Sequence, residues 1–308
     1  MSEPPIPARG GKPWEADHEM DVTRVEALIA AEMPDLLGRR VTFLGEGWDF
    51  RVFDVEGELL RFPKRADCTV AMGREARLLE FLAPRLPVEV PRPVVHSVAI
   101  HAPHGFERLR RLPGRALSEV TVDAVHARRI AASLGSLACA IHAVGGAEAA
   151  ALGVPDSGWE APATRARRAV ARLRDVAPHL PRLVAGAARR YLERSAPPAG
   201  AGETPLTHSD IWPEHLMVGD ALELRGLIDW TDAERGDPAR DLAGAWYVGG
   251  DQGLGAALER YEQPWGAGLR DRARFFGVDQ AVGDAWYGLQ RGLDLPVAQA
   301  SAALARLE

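Results

Sequence analysis

At 308 residues the chain is long enough for two separate cores, and a composition of 46% hydrophobic and 26% charged residues is that of an ordinary soluble globular protein. A net charge of −6 argues against a dedicated nucleic-acid binder, which carries a basic excess, and no continuous apolar run is long enough to span a bilayer. Cys68 and Cys139 are too few for a disulfide framework, so they read as small buried residues of a cytoplasmic protein.

Residues 1–20 contain Pro, Gly and charges but no apolar segment, so they read as a flexible tail and not a secretory signal. Asp21 then caps a predicted helix running to Met33, with Val22, Val25, Leu28 and Ile29 on one face. From Val41 to Phe62 three strand-like runs are separated by Gly45-Glu46-Gly47 and by Glu56-Gly57. A glycine turn between strands can let backbone N–H groups close over phosphates. Arg61 lies in the third run, Pro63-Lys64-Arg65 follows it, and Glu75 opens a predicted helix with Leu78, Leu79 and Leu82 on its buried face.

The prolines between Leu86 and Pro93 exclude helix. Two further strands are expected over Val94–Ile100 and Phe106–Leu112, around a turn at Ala102–Gly105, and Pro113-Gly114 then breaks the chain. Ser118–Val144 reads as a helix whose Ile130, Leu134, Leu137 and Ile141 form one stripe, with His142 a structural residue beside it. Between Pro155 and Arg194 a mostly helical stretch carries Arg165, Arg167, Arg168, Arg172 and Arg174. Without interleaved aromatics to stack bases, these read as a solvated helix face.

The chemistry concentrates between Leu206 and Ala243. A polar loop, His208-Ser209-Asp210, is followed by Glu214-His215, an apolar run (Leu216, Met217, Val218), a Gly219-Asp220 turn, and a second run from Leu222 to Ile228 that delivers Asp229. Two short apolar runs joined by such a turn predict a β-hairpin, which returns Asp229 to the Asp210 loop. Two carboxylates and an imidazole then surround one small volume, where like charges need a cation or a shared proton. One carboxylate can accept a proton from an attacking hydroxyl while the other holds a metal that carries phosphate.

HSDIWPEHLMV and GLIDWTDAERGDPARDLA resemble the catalytic and metal loops of the aminoglycoside phosphotransferase family, antibiotic kinases with a protein-kinase-like fold. The family's loop usually reads His-Gly-Asp with Asn five residues after the Asp. Here His215 takes the Asn position, as in branches that resemble aminoglycoside 2''-kinases and macrolide 2'-kinases. The resemblance implies Asp210 as catalytic base and His215 with Asp229 as ligands of Mg²⁺. It also implies a strand cation for the phosphates of ATP or GTP, held by a carboxylate on the next helix. The family usually has Lys there; in this chain Arg61 matches on register, Lys64 is the second candidate, and Glu75 is the expected partner. Gly45 and Gly47 would cover the phosphates, and the nucleotide base would meet backbone around Arg110 to Leu112.

The aromatics Trp246, Tyr247, Tyr261, Trp265, Phe275, Phe276, Trp286 and Tyr287 concentrate in a helical C-terminus that forms core, with a few lining a substrate pocket. Asp232, Glu234, Asp251, Asp279 and Asp284 are candidate anchors for cationic or hydroxyl groups, and Trp246 is the candidate aromatic wall. Asp237 and Asp241 read as carboxylates that cap and pack the helix following Gly236. The expected architecture is a two-lobe, protein-kinase-like α+β fold. It comprises a tail over 1–20, a small antiparallel-sheet lobe over 21–112 and a larger, mainly helical catalytic lobe over 113–308, with the nucleotide in the cleft between lobes.

The expected activity is γ-phosphoryl transfer from ATP or GTP to a hydroxyl of an aminoglycoside-like antibiotic. A macrolide, or a metabolite such as choline or a sugar, is the alternative acceptor, and a catalytically silent nucleotide-binding regulator is the alternative class. The partners expected are these small molecules, without nucleic acid or membrane, for a monomer or homodimer.

Overall fold

Asp21 supplies the first fixed point, its carboxylate accepting the Arg24 amide at 2.9 Å to start α1 (Val22–Glu32), whose Val25, Leu28 and Ile29 are buried. The structure, a computed structural model, describes residues 15–96, 101–158, 162–194, 204–263 and 268–307. Most of the expected tail, the end of the strand expected to reach Ile100, and Trp265 lie outside the described residues. The chain forms two compact units, Met1–Glu80 with Pro91–Arg111, and Phe81–Val90 with Leu112–Glu308.

In the first unit, β1 (Val41–Glu46), β2 (Phe50–Val55) and β3 (Glu58–Pro63) form the antiparallel meander that alternating side chains and glycine turns predict. α2 (Ala66–Leu82) follows, then β4 (Val94–His96) and β5 (Phe106–Arg110), completing an antiparallel sheet of order β1-β2-β3-β5-β4. One sheet face buries Phe53, Leu60, Phe62 and Phe106 against Val25, Leu28 and Ile29 of α1. Gly45 lies within β1 at a register shift and not in the turn, its φ of 158° being extended backbone. The expected start of α2 near Glu75 is corrected: the helix begins at Ala66, which places Glu75 mid-helix. Its first turns lack a continuous apolar stripe, since Val70 is exposed and only Cys68 and Met72 pack, against Phe50.

In the second unit, β6 (Arg115–Ala116) leads to α3 (Ala124–His142). The helix starts six residues later than the Ser118 expected, because the β-branched run Val120, Thr121 and Val122 stays out of the helix and Asp123 caps through the His126 amide. α4 (Gly146–Ala151), α5 (Pro162–Val176) and α6 (Arg182–Arg194) follow. Next come β7 (Leu206–Thr207), β8 (Leu216–Val218), β9 (Leu224–Leu227), β10 (Glu234–Arg235), α7 (Ala239–Leu258), α8 (Leu269–Arg291) and α9 (Asp294–Leu304). β6, β8 and β9 form one small sheet, and β7 with β10 another.

The helical core centres on α7 between α3 and α8, and no described helix is long and apolar enough to cross a membrane. At Gly135 of α3 an added Cβ would lie 2.1 Å from the Ala257 carbonyl of α7, so only glycine permits this approach. Two of the arginines expected to be solvated pack instead on α8. Arg165 Nε bonds Asp279 Oδ2 at 2.6 Å, and Arg172 lies 5.1 Å from the Trp286 ring centroid.

Candidate active site

The hairpin forms as its two apolar runs require, with Leu216 opposite Leu227 and Met217 opposite Gly226. Its turn is longer than the Gly219-Asp220 pair, closing with the Gly219 N–H on the Glu223 carbonyl at 3.0 Å, so the second strand starts at Leu224. The strand end is tied back at the loop: the Ile228 N–H donates to the His215 carbonyl at 3.0 Å. This brings together the three side chains singled out in the sequence. His215 Nδ1 is 3.2 Å from Asp210 Oδ2, and its Nε2 is 3.5 Å from Asp229 Oδ2.

Two histidines set the register of this cluster. His208, fully buried, receives the Asp210 N–H on Nδ1 at 3.2 Å and reaches the Ile228 carbonyl with Nε2 at 3.1 Å. A carbonyl only accepts and an amide N–H only donates, so His208 is the neutral Nε2–H tautomer. Burial, the main influence on its pKa, holds it below the ordinary histidine value against the pull of Asp241 and Asp210. One ring thereby fixes the Asp210 loop against the end of β9. His215 donates from Nδ1 to the Asp210 carbonyl at 2.8 Å, which leaves Nε2 facing the Asp229 carboxylate. Burial opposes its charged form, yet Asp210, Asp229 and Glu214 together raise its pKa well above the ordinary value.

Ser209 takes the left-handed conformation, φ 68°, at the position where the resembled family usually carries glycine. Its backbone N–H donates to Asp241 Oδ1 at 2.7 Å, and its hydroxyl bonds Thr207 Oγ1 at 2.8 Å and Glu234 Oε1 at 3.0 Å. These bonds offset the left-handed penalty of about 1–2 kcal/mol for a residue with a Cβ. Ser209→Ala keeps the penalty and loses the hydroxyl bonds, whereas Ser209→Gly loses both together. Ser209→Gly is therefore expected to be more stable than Ser209→Ala by about 1 kcal/mol in urea denaturation. Equal stability of the two variants would contradict the strain at this position. Asp229 is also left-handed, φ 63°, and its Oδ1 accepts from the Thr231 hydroxyl at 3.0 Å.

α7 positions the loop from below. Asp241, 1% exposed in its first turn, accepts the amides of His208 and Ser209 and bonds His142 Nε2 at 3.0 Å. His142 Nδ1 meets the Tyr261 hydroxyl at 2.8 Å, so this histidine is structural as expected. A Cβ on Gly244 would fall 2.3 Å from the Ile211 carbonyl, so α7 approaches the loop backbone there with no room for a side chain.

Beyond Asp210 lies a further acidic group that the sequence flags only through Asp284. Gln280 Nε2 donates to Asp284 Oδ1 at 2.7 Å. Burial first, then the charge of Glu214, pushes Asp284 well above the ordinary aspartate range, against hydrogen bonds from Tyr247 and Gln280. Glu214 is open to solvent, yet the protein around it takes hydration from its carboxyl and raises it, with Asp210 and Asp229 adding to the shift and His215 opposing. Glu214 and Asp284 thus lie within electrostatic reach of one another and of Asp210.

The other substrate candidates differ in their surroundings. Trp246 is wholly buried, its Nε1 donating to Asp251 Oδ1 at 3.1 Å, and Asp251 also pairs with Arg274 at 3.2 Å. Glu234 bonds Ser209 and Arg240, and Asp232 is exposed. Asp237 accepts the Ala239 amide at 2.9 Å and pairs with Arg272 Nε at 2.6 Å, a packing role.

In the first unit the cation expected on β3 is in place. Arg61 Nη1 lies 3.2 Å from Glu75 Oε2 on α2 and 2.7 Å from Glu107 Oε1 on β5, with the guanidinium 4.3 Å from the Phe50 ring centroid. Glu107 is not marked by any local sequence signal; the β3–β5 register places it opposite Arg61. Lys64 is buried, its Nζ donating to the Gly47 carbonyl at 3.0 Å, and the Gly47 N–H donates to Phe50 O at 2.9 Å. Arg110 ends β5 opposite Glu58, and Leu112 belongs to the second unit.

Comparison with known proteins gives this geometry a family. A family model described as "Phosphotransferase enzyme family" (APH) matches residues 40–276. The apoenzyme structure of macrolide 2'-phosphotransferase MphH from Brachybacterium faecium is 30% identical, covering 91% of this chain and 97% of that one at a TM-score of 0.58. The GDP and kanamycin complex of APH(2'')-IIIa is 20% identical over 91% of this chain and 97% of that one, at a TM-score of 0.65, a likeness of fold. The uncharacterized protein YcbJ of Bacillus subtilis is 34% identical over 65 residues, so the match spans 21% of this chain and 21% of that relative.

Proposed function

Since the chain belongs to the phosphotransferase enzyme family (APH), with its kinase-like α+β fold, we propose that it moves the γ-phosphoryl group of ATP or GTP onto a hydroxyl of an antibiotic-like small molecule. The observation that carries this reading is the convergence of Asp210, His215 and Asp229 on one hairpin and its neighbouring loop. Asp210 accepts the proton of the acceptor hydroxyl and orients its oxygen toward the phosphorus. Arg61, fixed by Glu75 and Glu107, steadies the nucleotide phosphates, a task for which the planar guanidinium suits paired oxygens.

His215 Nε2 and Asp229 Oδ2, 3.5 Å apart, fit a cation between them. Mg²⁺ takes few protein ligands and completes its shell with water and phosphate oxygens, so one carboxylate and one imidazole suffice, although it prefers oxygen. When bound it neutralises charge on the transferring phosphoryl group. The acids Glu214 and Asp284 seat an amine of the acceptor beside the reacting hydroxyl. A cytoplasmic enzyme acting on an imported drug fits this set of substrates.

Aminoglycosides and macrolides with an amino sugar both meet that description. The 30% identity to a macrolide 2'-phosphotransferase across nearly its whole length favours a macrolide as the second reading. The two are separated by measuring nucleotide consumption with a panel of each drug class, under ATP and GTP in turn. Drug-stimulated turnover is expected in one class. If no drug raises consumption above the Asp210→Ala background, the kinase reading fails and a silent nucleotide-binding protein takes its place.

A further inference from the structure

Away from the phosphoryl-transfer residues, three donor side chains in the first unit meet at one point. Asp17 and His18 precede α1, and His104 lies in the turn before β5. Asp17 Oδ1 lies 3.0 Å from His18 Nδ1 and 2.7 Å from His104 Nε2. The two rings stand edge to face with centroids 4.8 Å apart, and one ligand atom from each residue falls within 4.8 Å of the others. Among the described residues this is the one group of three His, Cys, Asp or Glu side chains so arranged.

The donors are held from several sides. The Asp17 N–H donates to the Lys64 carbonyl at 3.0 Å, Thr69 Oγ1 of α2 donates to the His104 carbonyl at 3.0 Å, and Arg51 of β2 reaches the His18 carbonyl at 3.4 Å. Ligands whose backbones are anchored to β2, the end of β3 and α2 lose little freedom on binding an ion. Side-chain exposures of 33% for Asp17, 13% for His18 and 18% for His104 leave an entry path and room for a water ligand.

We propose that Asp17, His18 and His104 form a binding site for a borderline divalent transition metal such as Zn²⁺, which clasps the segment ahead of α1 to the turn before β5. Two imidazoles and one carboxylate suit Zn²⁺ or Co²⁺, whereas Mg²⁺ prefers an all-oxygen shell. On binding, each ring gives up the proton it shares with Asp17, moving it to its other nitrogen or to solvent. The site is independent of the kinase reading, since none of its ligands serves the transfer.

The test uses the untagged full chain without nucleotide, in excess Mg²⁺ to occupy oxygen-rich sites. Zn²⁺ is titrated by calorimetry, and Co²⁺ is followed by its visible absorption. One equivalent is expected, raising the first unit's melting midpoint by about 4 °C or more. His18→Gln and His104→Gln should each weaken binding tenfold or more, and the double variant should lose the midpoint shift while keeping a native far-UV spectrum. Absence of Zn²⁺ and Co²⁺ binding to the wild type overturns the site. So does binding that survives both substitutions, or binding lost in His215→Gln instead.

Discussion

Asp210→Ala is expected to reduce drug-dependent phosphoryl transfer by about 10³-fold, within the range seen when a positioned general base is removed. The geometry explains why no neighbour can substitute. Asp210 Oδ1 accepts the Trp212 indole N–H at 2.7 Å, and Oδ2 lies 3.2 Å from His215 Nδ1, so both oxygens are aimed. His215 already donates from Nδ1 to the Asp210 carbonyl, and its Nε2 faces Asp229, so neither ring nitrogen is placed to take the acceptor's proton. Asp210→Asn keeps the Trp212 hydrogen bond and the shape of the loop but cannot take a proton, so it should be as inactive as Asp210→Ala. Nucleotide affinity, read by titration, should change by less than threefold in either variant if catalysis is lost without loss of binding. Turnover within tenfold of wild type in both variants would place the base elsewhere.

Where local chemistry decided the outcome, the sequence was readable. Asp21 caps α1 because a short carboxylate can reach the Arg24 amide, and the three runs before Pro63 pair because alternation and glycine turns leave few other options. The cluster of Asp210, His215 and Asp229 was legible because a hairpin must return the chain to its start. Misreadings came where local signals were weak or contradictory. α3 starts later than its span in the sequence suggests because the turn at Leu117–Glu119 is followed by a β-branched run that resists helix before the Asp123 cap. α2 begins ahead of its apolar stripe, because its first turns expose Val70.

Contacts made by tertiary pairing alone were not legible. Glu107 reaches Arg61 through strand register, and Trp246 is sealed inside the helical core by packing around α7 that no periodicity announces. Asp241 is the plainest case: a carboxylate in a helix's first turn reads as a cap, but its oxygens leave its own helix and serve a loop 32 and 33 residues back in the chain.

That arrangement makes Asp241 the structural counterpart of Asp210, and Asp241→Asn should expose it. Its carboxylate takes two buried amides, from His208 at 2.9 Å and Ser209 at 2.7 Å, and one ring nitrogen of His142 at 3.0 Å. An amide side chain has one acceptor oxygen, so its NH₂ group must face a donor in surroundings without water. Leaving a buried donor unmatched and removing a buried charge from its partners costs about 3 kcal/mol. The melting midpoint should fall by roughly 8 °C. Because those two amides fix the backbone leading into Asp210, turnover should fall while the affinity for nucleotide is kept, marking Asp241 as a positioning residue.

The pH dependence separates this role from simple packing. Burial raises the Asp241 carboxyl, but the hydrogen bonds from His142 and the His208 amide outweigh it and hold the folded-state pKa below the ordinary aspartate value. A depressed folded pKa contributes stability that is fully present above the unfolded pKa of about 3.9 and is lost as pH falls through the folded value. The stability gap between wild type and Asp241→Asn, measured by urea denaturation, should therefore be level from about pH 8 to pH 5 and close only below about pH 4. A gap that closed between pH 7 and pH 5 would mean that a histidine, not Asp241, carries the ionisation that holds the loop.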